Sequence, residues 1–367
     1  MTADKIKELI EGLYGVSLVD DFTINEAGSL KGRIAVATGQ DSADLEWDVE
    51  ISPTYPFKVM GREPIYFQNK NLLNYPHIMQ GGNLCMHSAE YENTERQFVN
   101  DLEQLKEWVE KYYVKMEKDA HYEHLVVNHH LICGQYYTFC FAETKEDFAE
   151  GDYGVVHYAV LPTGWKNDSP VSNYMAQKFV SCAQVKKREL FCKISKSYQK
   201  LKSFDGVYCL LNGIPSVHNK FIVEDYDSIK GLFSQSQKNY IHSFVALHKN
   251  KYNSFPLFCG YRIPGGGVYW QAMMLFMDDL PIEPVRVGTG KNRLWFTDFK
   301  QGLIQWAETV DISYKYFFGR GAMPEELANK KILIMGVGAI GSIVAETLTR
   351  CGAKILTLYD IDNKEPG

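Results

Sequence analysis

The spacing of apolar residues changes three times along the chain. Near the N-terminus Ile6, Leu9, Ile10 and Leu13 recur at i, i+3, i+4 and i+7, the stripe of an amphipathic helix. Leu45, Trp47, Val49 and Ile51 then alternate with Glu46, Asp48 and Glu50, which predicts a strand with one buried face. Pro53 and Pro56 end that strand, because proline brings no N–H to a ladder. Ile65-Tyr66-Phe67 predicts a further short strand. Helical spacing returns with Leu102, Leu105, Trp108, Val109, Tyr112 and Met116. Residues 1–130 therefore predict a compact α+β domain of helix, strand meander, extended loop and helix.

The middle, residues 131–310, is less regular. Val155 to Leu161 and Tyr240 to Leu247 read as buried strands, and Gly265-Gly266-Gly267 after a proline reads as a hairpin turn. Val287-Gly288-Thr289-Gly290-Lys291 holds two glycines and a lysine without P-loop spacing, so phosphate binding is not expected there. A mixed α/β domain without a chemical signature is the expectation.

From residue 311 to 367 a third pattern follows. Ile332-Leu333-Ile334-Met335 predicts a buried strand, and Gly336-Val337-Gly338-Ala339-Ile340-Gly341 a glycine turn. Ile343, Val344 and Leu348 predict a helix, and Ile355 to Tyr359 a second strand that ends at Asp360. Glycines 336, 338 and 341 permit a tight turn and let backbone N–H groups approach a phosphate at the helix N-terminus. Asp360 lies 19 residues past Gly341, where it can accept a ribose hydroxyl. One βαβ half cannot bury both faces of a parallel sheet, so the rest of this domain is expected to lie outside the chain.

Composition narrows the classes. At 367 residues the chain exceeds the roughly 100–200 residues of one ordinary domain. Its 45% hydrophobic and 13% aromatic content argues for folded cores, and a net charge of −6 gives no footprint for nucleic acid. The eight cysteines form no C-x-x-C pair and no secreted disulfide framework. The polar N-terminus predicts no signal peptide, and no apolar run of about 18 residues predicts a membrane span. A reducing cytoplasm is the expected location.

Cys85 carries the chemistry. It closes the stretch Tyr75-Pro76-His77-Ile78-Met79-Gln80-Gly81-Gly82-Asn83-Leu84-Cys85, a thiol behind a glycine turn with an imidazole eight residues upstream. Such a setting suits covalent acyl chemistry, for which the thiol needs access and thiolate character. The alternative is a buried, inert cysteine. His87 is a candidate general base beside it, or a solvated loop residue. His121, His124, His129, His130 and Cys133 cluster at spacings of three and four, but a solvated helix end is the expected reading and no metal site is assigned.

Residues 1 to about 130 resemble the ubiquitin-conjugating fold, with its Tyr-Pro segment at Tyr55-Pro56 and its His-Pro-Asn motif replaced by Tyr75-Pro76-His77. Cys85 then stands at the catalytic distance, eight residues past the motif. Residues from about 314 resemble the start of ubiquitin-activating, ThiF-like adenylation domains. The matching features are Tyr316-Phe317-Phe318-Gly319-Arg320, the glycine turn and Asp360-Ile361-Asp362. Together the two ends are similar to bacterial conjugating–activating fusions of anti-phage defence (CBASS-type) operons, cut early in the adenylation domain.

That resemblance implies a transferase that carries acyl groups as a thioester on Cys85, with His77 steadying the oxyanion. It also implies ATP-Mg at Gly336, Gly338, Gly341, Asp360, Asp362 and Arg320 in the full-length protein. No cofactor and no adenylation are expected of this fragment alone, because the segments that complete the activating site are absent. The implied cargo is the C-terminus of a ubiquitin-like protein or of a cyclic-oligonucleotide synthase, passed to an acceptor amine. A homodimer in the full-length protein is implied as well. Two other classes stay open: a non-catalytic scaffold that binds the same partners, and a nicotinamide oxidoreductase built on the glycine turn.

Overall fold

The computed structural model describes residues 1–39, 43–86, 91–117, 125–183, 187–193, 200–263, 266–287 and 294–361. It divides into two compact units, residues 1–126 with 216–222, and residues 127–215 with 223–367.

The first unit begins with helix α1 (Ala3–Glu11), capped by the Thr2 hydroxyl, which accepts from the Lys5 N–H at 3.3 Å. Its apolar stripe buries Ile6 and Ile10 completely. An antiparallel meander follows: β1 (Val16–Ile24), β2 (Leu30–Val36), β3 (Leu45–Ile51) and β4 (Ile65–Gln68), in that spatial order. The alternation expected of β3 is present, with Trp47, Val49 and Ile51 turned inward. Asn93 caps helix α2 (Thr94–Trp108), accepting from the Arg96 N–H at 2.9 Å. The helix then loosens into π-helical turns over Val109–Val114. Phe98, Leu102, Leu105 and Trp108 of α2 close the core against the meander, with Trp108 set edge-on to Trp47 at 5.4 Å. Met116 lies past the helix end and is exposed, so it leaves the expected stripe.

One piece of this unit comes from far along the sequence. The hairpin of Ser216–Val217 and Phe221–Ile222 turns at His218 and Asn219, both at left-handed φ, and bridges to Val126 in parallel.

The second unit is built on a mixed sheet. Its strands run spatially in the order Val268–Phe276, Ser254–Arg262, Ser203–Leu210, Tyr153–Val160, Ser169–Ser181, Tyr136–Phe141 and Glu308–Asp311. The hairpin expected at the glycine run joins the first two, with the Gly266 N–H bonded to the Ile263 carbonyl; Gly265 lies outside the described residues.

Tyr240 to Leu247, read as a strand, is instead part of the helix Gln235–His248. Ser234 and Gln237 form a capping box at its start, and Gln237, Ile241 and Phe244 share one buried face at i, i+4 and i+7. The β-branched and aromatic content of the run pointed the wrong way; the Ser-x-x-Gln signal before it was the informative one.

Residues 331–359 form a parallel strand–helix–strand: Lys331–Met335, Ala339–Arg350 and Ile355–Tyr359. The first strand is not buried as expected. Leu333 and Met335 are 60% and 73% exposed, because among the described residues this strand pairs only with Ile355–Tyr359. Around residues 125–135 the chain is extended or turning rather than helical, so His129, His130 and Cys133 do not share a helix face. His121 and His124 lie outside the described residues, as do Gly288, Thr289, Gly290 and Lys291. No helix among the described residues is long and apolar enough to cross a membrane.

Candidate active site

Cys85 sits at the end of a tightly hydrogen-bonded loop. The loop runs out from β4 and returns, with the Leu84 N–H donating to the Phe67 carbonyl at 2.8 Å and the Asn69 N–H to the Gly82 carbonyl at 2.9 Å. Its tip is a turn in which the Met79 N–H reaches the Asn83 carbonyl and the Gly82 N–H the Met79 carbonyl. Gly82 has φ +84°, and a Cβ there would lie 3.0 Å from the backbone of Lys70, so a side chain at this position would be both strained and crowded. Ile78 and Leu84 bridge across the loop with both side chains buried, which draws His77 and Cys85 together. The Cys85 N–H donates to the His77 carbonyl at 2.7 Å.

His77 adopts φ +58°, the left-handed region that asparagine, aspartate and histidine enter more readily than other non-glycine residues. Its Nε2 lies 3.1 Å from the Tyr112 hydroxyl, and the two rings are tilted at 5.0 Å. The preceding carbonyls are held as well. The Trp108 indole N–H donates to the Pro76 carbonyl at 2.9 Å, and the Lys220 ammonium to the Tyr75 carbonyl at 3.0 Å. Trp108 and Tyr112 were visible in the sequence as a helix stripe only. Their part here follows from the π-helical turns that carry Tyr112 to the loop, for which no local spacing gives a sign.

Cys85 is half-buried and opens on a cleft of about 340 Å³ lined by His77, Met86, Glu107, Trp108, Lys111 and Tyr112 among others. Lys58 stands within electrostatic reach of the sulfur. Its ammonium is raised above the ordinary lysine value chiefly by its hydrogen bond to Glu63, and a Cys85 thiolate adds to that. His87 lies outside the described residues.

The Tyr-Pro segment upstream is also anchored. Tyr55-Pro56 is a cis peptide, and the Tyr55 hydroxyl donates to the buried Asp101 carboxylate at 2.7 Å. Gln97 donates to the other Asp101 oxygen at 2.8 Å and accepts from the Tyr91 N–H. Burial and the Asp101 charge push the Tyr55 phenol up, so it stays protonated and available as donor.

The glycine turn in the second unit forms a separate group. Gly336 has φ +88°, and a Cβ on Gly341 would fall 1.8 Å from the Gly336 carbonyl, so helix and strand meet too closely for any side chain at 341. Around Gly338, the N-cap of the helix Ala339–Arg350, a Cβ would meet nothing within 4 Å. The space before the N–H groups of the helix start is therefore open. Asp360 joins the turn directly: its carboxylate accepts from the Val337 N–H. Arg320 falls in the short 3-10 turn Gly319–Gly321, and Asp362 lies outside the described residues. Among the described residues no group of three or more His, Cys, Asp or Glu gathers to hold a metal ion.

Known proteins bear on the second of these groups most directly. Residues 315–366 match the ThiF family model. Ubiquitin-like modifier-activating enzyme 5 of Caenorhabditis briggsae is 49% identical over 41 residues, 11% of this chain and 10% of that protein. The Dictyostelium discoideum protein of the same name is 49% identical over 41 residues, 11% of each chain. The ATP-dependent ubiquitin transferase-like protein Cap2 of Enterobacter hormaechei subsp. hoffmannii is 29% identical over 105 residues, 27% of this chain and 18% of that one. The chain thus spans a small part of the length of the curated relatives it matches, and what it has in common with them is a ThiF-type segment and a general likeness to enzymes of ubiquitin-like conjugation.

Proposed function

We propose that this chain performs a transfer step in ubiquitin-like conjugation, with Cys85 as the residue that carries the acyl group. The observation behind this reading is the cleft at Cys85. It combines a half-buried thiol with an imidazole tied to the same loop. The order of elements around it, helix, four-strand meander, cysteine loop and helix, is the order expected of a conjugating fold.

The step is acyl exchange. The Cys85 thiolate attacks the carbonyl carbon of an incoming thioester, a new C–S bond forms, and the donor thiolate leaves. An acceptor amine then attacks the Cys85 thioester. Cys85 departs as thiolate, and the amine gives up a proton as the amide forms. Each attack builds an oxyanion. The His77 ring is the donor assigned to it.

The cargo is the C-terminal carboxylate of a ubiquitin-like protein or of a cyclic-oligonucleotide synthase, and the setting is anti-phage defence. Similarity to Cap2 and to modifier-activating enzymes supports a ubiquitin-like cargo. In the full-length protein Gly336, Gly338, Gly341, Asp360, Asp362 and Arg320 are assigned to ATP. ATP-Mg bound there would supply the activation of the carboxylate, and this chain's glycine turn would contribute backbone donors and space for the phosphates.

A second reading has one observation in its favour. His77 is engaged with Tyr112, as expected of a residue that packs a turn, and a scaffold that only binds the cargo fits that arrangement. The two readings separate on Cys85→Ser. When it is mixed with activating enzyme, ATP-Mg and a candidate cargo, a carrier traps the cargo as a thiol-resistant ester on residue 85. A scaffold retains the cargo without any covalent link.

A further inference from the structure

We infer that Lys220, carried on a hairpin from the middle of the sequence, is a positioning residue for the reactive loop at Cys85. The inference rests on the reading of Cys85 as the acyl carrier for its catalytic meaning, and on geometry alone for its structural part.

Three successive carbonyls of the loop are taken by donors from three different places. Tyr75 accepts from the Lys220 ammonium, Pro76 from the Trp108 indole and His77 from the Cys85 amide, at 3.0, 2.9 and 2.7 Å. Between the second and third of these the backbone enters the left-handed region at His77, a conformation that persists only where the surroundings over-determine it. Removing the first clamp frees the carbonyl at the near end of the segment, two residues before His77. A hydrogen bond from a charged donor is the strongest of the three in kind.

Lys220 is itself placed with care. It is the last of the three loop residues between Val217 and Phe221, after His218 and Asn219, which both have positive φ. The Lys220 N–H closes the turn on the Val217 carbonyl at 3.1 Å, and the Lys220 carbonyl accepts from the Val126 N–H at 2.7 Å. The Ile222 N–H returns to the Val126 carbonyl at 3.1 Å. Backbone on both sides of the residue is therefore pinned to the first unit, which leaves the side chain to span to Tyr75. The flanking chain, up to Pro215 and from Val223, belongs to the second unit. A lysine in this hairpin thus makes order in the reactive loop depend on a segment the conjugating-like sequence does not contain.

The test uses the full chain and needs no cargo. Hydrogen exchange is followed in the peptides covering residues 75–86, and the rate of iodoacetamide reaction is followed at Cys85, for Lys220→Met and Lys220→Arg. Methionine keeps the length and loses the donor; arginine restores a cationic donor. The expected result is exchange in 75–86 faster by about tenfold or more in Lys220→Met, an altered Cys85 alkylation rate, return toward wild type in Lys220→Arg, and an unchanged melting temperature. Exchange and alkylation in Lys220→Met equal to wild type would overturn the inference, as would equal disturbance by both variants. Because neither readout requires loading, a failure of the acyl-carrier reading would show in the Cys85→Ser trap and not here.

Discussion

The amide of Cys85 donates to the carbonyl of His77 at 2.7 Å, so the candidate nucleophile and the residue assigned to its oxyanion share one hydrogen-bonded loop. Motion of either backbone moves the other, and this relationship is what the first prediction probes.

His77→Asn is expected to fold as wild type and to preserve or raise transfer. Asparagine enters the left-handed region readily and carries an amide N–H for the oxyanion. His77→Ala keeps φ +58° at a cost of about 1–2 kcal/mol and loses the donor, slowing transfer by about 10²-fold or more. Single-turnover discharge from Cys85 measures both. Complete loss of transfer in His77→Asn would instead assign the imidazole an acid or base role.

Tyr55→Phe should destabilise the first unit. It deletes the donor to a carboxylate that is 1% exposed, and the expected loss is about 1–3 kcal/mol. The urea midpoint reports it, and an unchanged midpoint would show that Asp101 finds another partner at no cost.

Gly341→Ala should disrupt the glycine turn, since the added methyl would meet the Gly336 carbonyl at 1.8 Å. The strand and helix must separate, at about 1–3 kcal/mol. Faster hydrogen exchange in residues 331–345, with residues 1–126 unaffected, is the expected pattern. Gly338→Ala, in open space, should leave exchange unchanged.

Acid stability has a traceable contribution in the second unit. The hydrogen bond from His157, whose Nδ1 lies 2.7 Å from Oδ1, holds the Asp205 carboxyl below its ordinary value, with Lys251 and Tyr252 adding to the effect. A depressed carboxylate stabilises the fold above its unfolded value near ~3.9, and that contribution is lost as pH falls through the lower folded value. Asp205→Asn should therefore lower stability at neutral pH and narrow the gap from wild type as the solution is acidified below pH ~4. Thermal melts from pH 3 to 7 measure the gap. A gap independent of pH would place the effect of the substitution elsewhere.

Much of the first unit was legible from side-chain period. Trp47, Val49 and Ile51 alternate because one face of β3 is buried, and Ile6 and Ile10 mark the inner stripe of α1. The glycine turn at 336–341 was legible for the same kind of reason, since Gly336 takes a positive φ and Gly341 has no room for a Cβ. What period could not give was anything set by long-range contact. Tyr240 to Leu247 carries β-forming residues on a helix whose face is chosen by the sheet beneath it. Trp108, Tyr112 and Lys220 reach the Cys85 loop from 23, 27 and 135 residues away in sequence, and nothing local to them points there.

The most direct test of the central claim is intact-mass spectrometry of the chain after incubation with activating enzyme, ATP-Mg and the C-terminal segment of a candidate cargo. The account predicts a mass increase equal to the cargo less water, located at Cys85, removed by dithiothreitol and absent from Cys85→Ala, which should fold normally. Cargo loaded on the activating enzyme with no adduct on this chain, or an equal adduct on Cys85→Ala, would contradict it.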